Sequence, residues 1–432
     1  MRQEAYFCTV KELDKLGKNN IPQQLISHTH LIYSSPATLA FNSPGAEGFG
    51  VKRAGLAVPD SIMLIVSPGC CGRNTSVLSS MRAYHDRFYY LLMDETDIVT
   101  GRHLKKIPKA VAEICEGLEK KPSVVMICIT CVDALLGTDM ERVCHKAEES
   151  VGIPVRPCYM YALTREGRKP PMVHVRQSIY SLLEPKKKKG NVVNLLGYFS
   201  PLIDDCELYE LLHGAGVKTI HEISRCRDYA EYQTMAEANF NLVLHPEARF
   251  AAEDFHDRLK IPYIELRRLY QTDKIASQYQ AFGAALGVEF DDEAPRKAAE
   301  DAIIKFRDRY PDASFAVGEW MNADPFELAL ALVRYGFRVP EIYGTLSGEN
   351  FVYVKQLAKI SPETKVFSNL EPTMLYYDGS KSDIDLTIGK DAGYYHKECP
   401  NVRWNEEQQP FGYAGVRRLF EALAEVSYNE RT

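Results

Sequence analysis

Short unbroken runs of apolar residues, each closed by glycine, proline or cysteine and followed by an amphipathic stretch, alternate along nearly the whole chain. Ser61-Ile-Met-Leu-Ile-Val66 ends at Pro68-Gly69-Cys70-Cys71-Gly72, and a helical pattern follows from about Thr75. Val124-Val-Met-Ile-Cys-Ile129 ends at Thr130-Cys131 and leads into a helix predicted over Ala134–Gly152. Beyond Lys186–Lys189, a second set has strands at Asn191–Gly197, Val217–Glu222, Asn239–His245 and Tyr263–Leu266, with a helix over Asp204–His213. A third set has strands at Ser314–Gly318, Arg338–Tyr343, Lys365–Leu370 and Asp383–Ile388, a helix over Pro325–Tyr335 and a closing amphipathic helix over Gly415–Ala424. A strand with one wet face alternates apolar and polar residues, whereas one covered by helices on both faces is apolar throughout. The pattern therefore predicts an α/β protein of three Rossmann-like domains, each a mostly parallel sheet flanked by helices, at about 1–188, 189–310 and 311–432. Ligands in such folds bind beyond the carboxyl ends of the strands, which directs attention to 68–76, 130–133, 197–204, 245–250 and 318–325.

Composition agrees with a folded chain of several domains: 432 residues, 45% hydrophobic and 25% charged. The net charge of −6 gives no electrostatic case for nucleic acid or an anionic membrane as partner. Lys186–Lys189 reads as a solvated linker. No apolar run approaches the length of a membrane helix, and Met1–Val10 lacks the apolar core of an export signal, so a cytoplasmic location is expected. In that compartment eleven cysteines, an odd number, do not suggest a disulfide framework. Cys115, Cys144, Cys206 and Cys226 read as small buried hydrophobes.

Cys71 and Cys131 differ, because each stands where a strand gives way to a helix. Backbone N–H groups at a helix start favour a thiolate, which can bind iron, zinc or copper or act as a nucleophile. The competing reading is two unrelated buried cysteines at tight turns. Cys128 and Cys131 form a Cys-x-x-Cys, but alternation puts Cys128 inside the strand and its core. Zinc normally takes two such pairs, and a thioredoxin-like site needs both thiols within reach at the opening of a helix. An iron–sulfur cluster held by cysteines from separate loops is the best physical match.

At these residues the chain resembles the nitrogenase component 1 superfamily. Val66-Ser-Pro-Gly-Cys-Cys-Gly72 is similar to the family's Gly-Pro-x-Gly-Cys loop, and Glu95-Thr-Asp-Ile-Val-Thr-Gly101 with Ala110–Ile114 is similar to its next segment. Thr130-Cys131-Val-Asp-Ala-Leu-Leu-Gly137-Thr-Asp139 resembles its Cys-x-x-x-Leu-Ile-Gly-Asp-Asp loop. Asn241-Leu-Val, Leu259-Lys-Ile-Pro-Tyr263 and Gly412-Tyr-Ala-Gly415 follow in the family's order, so that the resemblance spans about 40–425.

The resemblance implies a subunit that pairs with a homologous component 1-type subunit or a second copy of itself. An intersubunit iron–sulfur cluster would be fed by an ATP-dependent iron protein, the ATP being used by that partner and not by this chain. Cys71 matches the second cluster cysteine of the family and Cys131 the third; Gly72 and Thr130 would border the cluster. The first cysteine falls near Ser43-Pro44-Gly45, where none is present. Cys70, Cys8 or a partner's residue is the candidate for the missing ligand, and the cluster is either four-iron or an eight-iron P-cluster-like form. The ligand pair of a nitrogenase active-site cofactor is also absent: its cysteine position matches His245 and its histidine position matches Val402, ahead of Trp404. His245 is then a capping or core histidine, or else a catalytic proton donor or metal ligand at the interdomain cavity. Arg249, one helical turn on, is the candidate contact for an anionic substrate, and Glu319-Trp320 faces the same cavity. His28 and His30 are read as alternating on an edge strand, and Tyr394-Tyr395-His396 with Cys399 as a mobile late loop.

The leading expectation is an oxidoreductase, one subunit of a nitrogenase-like reductase passing low-potential electrons to a substrate between its domains. The alternatives are a scaffold for assembling a metal cofactor and a metal- or tetrapyrrole-binding protein of the chelatase type.

Overall fold

A computed structural model of the chain describes residues 4–26, 35–41, 48–69, 79, 84–160 and 169–429. The chain opens with strand β1 (Cys8–Thr9), and three sheets follow. The first holds β2 (Ile62–Ser67), β3 (Phe88–Leu92), β4 (Val125–Ile129) and β5 (Val155–Tyr159) in the order β3-β2-β4-β5, all parallel. The second holds β6 (Val192–Leu196), β7 (Thr219–His221), β8 (Phe240–Val243) and β9 (Tyr263–Glu265) in the order β7-β6-β8-β9, again parallel. The third takes β10 (Ser314–Val317), β11 (Arg338–Tyr343), β12 (Lys365–Phe367), β13 (Leu386–Ile388) and β14 (Asn401–Val402). Its order is β1-β12-β11-β10-β13-β14, with β1 the antiparallel member. The N-terminal strand, which sequence boundaries group with residues 1–188, thus pairs with Lys365 and Val366.

The unbroken apolar runs are explained by what covers each face. In β2, Met63 and Ile65 join one core while Ile62, Leu64 and Val66 join another. In β4, Met126 and Cys128 face the first of these, and Val125, Ile127 and Ile129 the second. Period-two alternation therefore sorts residues between two dry compartments. Strands β6 and β8 bridge in the same way: Val192, Leu196 and Val243 pack toward the first sheet's core, and Val193, Leu195 and Leu242 toward a core shared with the third sheet.

Two expectations change on detail. The helix predicted over Ala134–Gly152 is two helices, Cys131–Leu136 and Met140–Val151, because Gly137 takes φ +65° and ends the first. The late loop at 394–396 is ordered: helix Lys390–Tyr395 leads into a buried His396. Cys128 is fully buried, as alternation predicts, and Cys115, Cys144 and Cys206 are buried free thiols. Among the described residues no helix is long and apolar enough to cross a membrane.

Candidate functional site

The parallel pairing of Val66 with Ile129 brings the carboxyl ends of β2 and β4 side by side. Cys131 follows β4 as the first residue of helix Cys131–Leu136, with Thr130 in extended conformation at the cap position. Its thiol is half-buried and lies 4.0 Å from the Met160 carbonyl beyond β5. Cys70, Cys71 and Gly72 lie outside the described residues, as do His28, His30 and Ser43–Gly45. Among the described residues no group of three His, Cys, Asp or Glu side chains is arranged to hold a metal ion.

The strand ends carry a second feature. The hydroxyls of Ser67 and Thr130 and one oxygen of Asp133 are buried without a hydrogen-bond partner among the described residues. A buried polar atom left unpaired costs about 1–3 kcal/mol; Thr130 and Asp133 flank Cys131 in the chain, and Ser67 ends the neighbouring strand. The other oxygen of Asp133 is held by His103 Nε2 at 2.9 Å and by the Thr138 hydroxyl at 2.9 Å. His103 Nδ1 is 3.0 Å from the Asp97 carbonyl. This buried pair fixes the helix that begins at Cys131.

The crevice expected between the second and third sheets centres on His245. Its backbone starts a one-turn helix over Pro246–Ala248, and its Nδ1 accepts the Glu247 N–H at 3.3 Å, which leaves the ring proton on Nε2. Burial, then Arg176, Arg268 and Arg249, push its pKa down to about 3, so the ring is neutral. Gly197 is required opposite it: at φ +134°, a Cβ there would stand 2.7 Å from the His245 amide nitrogen. Arg176, 4% exposed, donates twice to the Gly197 carbonyl, at 3.1 and 2.6 Å, and once to Glu247 at 2.7 Å. Arg268 lies 4.5 Å over the Tyr198 ring, donates to Gln409, and has a buried Nε without a partner among the described residues.

Arg249 does not present a free charge. It donates to both oxygens of Glu265, at 2.8 and 2.9 Å, and to Glu349, which follows β11 in the chain, so two carboxylates already neutralise it. Val402 is a core residue of β14, 5% exposed, and Trp404 is buried with its Nε1–H on the Tyr270 hydroxyl. The Arg268 side chain is the cationic donor that sequence reasoning missed. The signal available was Gly197-Tyr198 at a strand end; nothing in the local sequence marks Arg176.

Glu319 leaves β10, a central strand whose two neighbours carry the chain to opposite sides of the sheet. One oxygen accepts the Thr345 N–H at 2.8 Å. Burial raises its pKa to about 7, the Thr345 bond opposes this, and the Asp391 and Asp324 carboxylates add to it. Between the ordinary carboxylate range and pH 7 the folded state then holds this proton more tightly than the unfolded chain, so its contribution to stability falls as pH rises. Glu319→Gln is expected to melt several degrees above the parent at pH 8.5 and to converge with it at pH 4.5; equal differences at both pH values would remove this explanation.

Comparison with known proteins agrees with this architecture. The family model described as nitrogenase component 1 type oxidoreductase matches residues 47–427. The nitrogenase iron-molybdenum cofactor biosynthesis protein NifE of Sinorhizobium fredii is 24% identical over 421 residues, covering 92% of this chain and 84% of that protein. NifE of Mesorhizobium japonicum is also 24% identical, with the same coverage of each chain. The NifE of Rhizobium meliloti is 26% identical over about half of each chain, 50% and 47%. A structure titled nitrogenase Cp1 at pH 6.5 superposes with a TM-score of 0.70 over 96% of both chains, at 16% identity. With the family model covering most of the sequence and the three-sheet fold shared, the chain belongs to the nitrogenase component 1 type oxidoreductase family.

Proposed function

We propose that this chain is a scaffold subunit of the component 1 type, which holds an iron–sulfur cluster while a metal–sulfur cofactor is assembled and handed on. The observation that carries the reading is the pair of positions at His245 and Val402. Where the family's catalytic subunits ligate a permanent cofactor, this chain has an imidazole whose Nδ1 already accepts a backbone N–H, and a buried valine. The similarity to NifE proteins along 92% of the chain points the same way and favours assembly over the reductase reading.

The residues fit such a cluster in their chemistry. Cys131 offers a half-buried thiol at the start of a helix, beside the orphaned hydroxyls of Ser67 and Thr130. Cys71 and Cys70, which follow the adjacent strand in sequence, would supply further thiols, and a partner subunit the remaining ligand. The cluster, when bound, supplies low-potential electrons. The exposed Leu135 and Leu136, in the same helix as Cys131, and Val99, which is 84% exposed, form apolar surface on the domain that carries the site. That surface is our candidate face for a homologous subunit or a second copy, and an ATP-dependent iron protein is the candidate electron donor. At the crevice, His245 Nε2–H and Arg268 Nε–H are donors suited to bridging sulfides or carboxylates of a cofactor in transit.

The test starts from protein purified without oxygen, with and without a co-expressed homologous subunit, and loaded with 57Fe. Mixing with a component 1 protein lacking its active-site cofactor should move label to the acceptor. Label that stays put, together with sustained substrate reduction driven by an iron protein and ATP, would return the assignment to a reductase.

A further inference from the structure

Away from this crevice, on the outer side of the third sheet, a cavity of about 640 Å³ opens between Met374–Ser382 and Tyr394–Cys399. Its size is within the usual 300–1,000 Å³ range of small-molecule sites. Behind its wall stands Glu341 of β11, 1% exposed and outside the cavity itself. Burial alone would raise this carboxyl, but hydrogen bonds from His396, Ser382, Tyr377 and Tyr343 hold it down at about 2, so it is a fixed negative charge. Tyr377 donates to its Oε2 at 2.6 Å and Tyr343 at 2.8 Å, and the Ser382 hydroxyl donates to Oε1.

His396 completes the arrangement. Its Nε2 lies 3.1 Å from Glu341 Oε2, so the carboxylate assigns the ring proton to Nε2 and makes Nδ1 an acceptor. Among the described residues Nδ1 forms no hydrogen bond. It is left open by Gly379, whose added Cβ would come within 3.3 Å of it and within 2.7 Å of the Tyr395 carbonyl. Gly379 and His396 both line the cavity. Tyr377, Tyr394 and Tyr395 form aromatic walls; Tyr395 has ring centroids 5.0 and 5.4 Å from the other two.

A buried carboxylate that orients an imidazole toward an aromatic-walled cavity is more than core packing requires. We propose that this cavity binds a planar nitrogen heterocycle, which stacks on the tyrosine walls and donates an N–H to His396 Nδ1. The site is independent of the cluster and of the crevice at His245, so it can be examined on the full chain whatever its metal content.

Indole and 1-methylindole serve as probes, because they share a ring and differ in the N–H. Saturation-transfer NMR with the purified chain should show indole bound about five- to tenfold more tightly than 1-methylindole, the range of one neutral hydrogen bond. Ser380 is exposed at the cavity mouth, and Ser380→Trp should abolish both signals while circular dichroism stays that of the parent. Equal binding of the two probes overturns the role of His396. Absence of saturation transfer from either, or undiminished binding to the folded Ser380→Trp protein, overturns the site.

Discussion

Cys131→Ala is expected to reduce iron and acid-labile sulfide in anaerobically purified protein more than about tenfold, since loss of even an outer-shell partner lowers metal affinity by about 10–100-fold, with the fold retained. The thiol is half-buried and its hydrogen bond to the Met160 carbonyl, at 4.0 Å, is weak, so its removal takes less from the core than loss of a fully buried side chain would. Helix Cys131–Leu136 keeps its anchor, since Asp133 remains held by His103 and Thr138. Cys71→Ala should behave in the same way on the ligand reading. Cys128→Ala provides the control: that side chain is fully buried in the core within β4, so iron should be unaffected while stability falls. Iron content and paramagnetic resonance of the three proteins decide the matter. Full iron in both Cys71→Ala and Cys131→Ala would sink the cluster assignment, whatever the family does elsewhere.

The largest expected stability effect is at Glu207. Its carboxylate, 5% exposed, receives the Tyr413 N–H at 2.6 Å, the Ala414 N–H at 3.1 Å and the Tyr279 hydroxyl at 2.7 Å. Two of these are the free amides at the start of the closing helix Gly412–Asn429, where a negative charge also meets the helix dipole. Gly412, at φ +60°, makes room for it: a Cβ there would lie 1.9 Å from Glu207 Oε1. Glu207→Ala strands two amides and a phenol in the core, and with about 1–3 kcal/mol for each unpaired group the loss should be about 3–5 kcal/mol, close to that of breaking a buried charge pair. Urea denaturation reads this directly. A loss below about 1 kcal/mol would mean that water reaches these groups.

Most of the fold was legible because parallel strands buried on both faces announce themselves as apolar runs, and β2, β4, β6, β8 and β10 all do. Strand β3 escaped notice because it is an edge strand, with Tyr90 and Leu92 exposed, and its alternation is diluted by polar surroundings. Strand β5 carries Arg156 and Pro157 and lacks an apolar run altogether. The break at Gly137 could have been read from the glycine, but the amphipathic pattern resumes in phase closely enough to hide it. At the site, the ends of β2 and β4 were placed by spacing alone. The pairing of Arg249 could not be read from the chain, since its partners, Glu265 and Glu349, lie 16 and 100 residues away. Tyr394–His396 looked like loop because Glu341, the charge that organises it, is on another strand. The choice between reductase and scaffold rested on absent ligands, which a sequence shows only once a family supplies the positions to inspect.

Strand β1 has a consequence for how the protein is made. Cys8 and Thr9 emerge from the ribosome long before their partners, Val366 and Lys365. At the usual 5–20 residues per second, the strand waits about 20–70 s for its place in the sheet. Throughout that interval Val10 and Leu13, both fully buried in the finished protein, have no core to enter. Growing chains therefore carry an adhesive apolar segment while the first two sheets form after it, and a chaperone that shields this segment should raise the yield of the third.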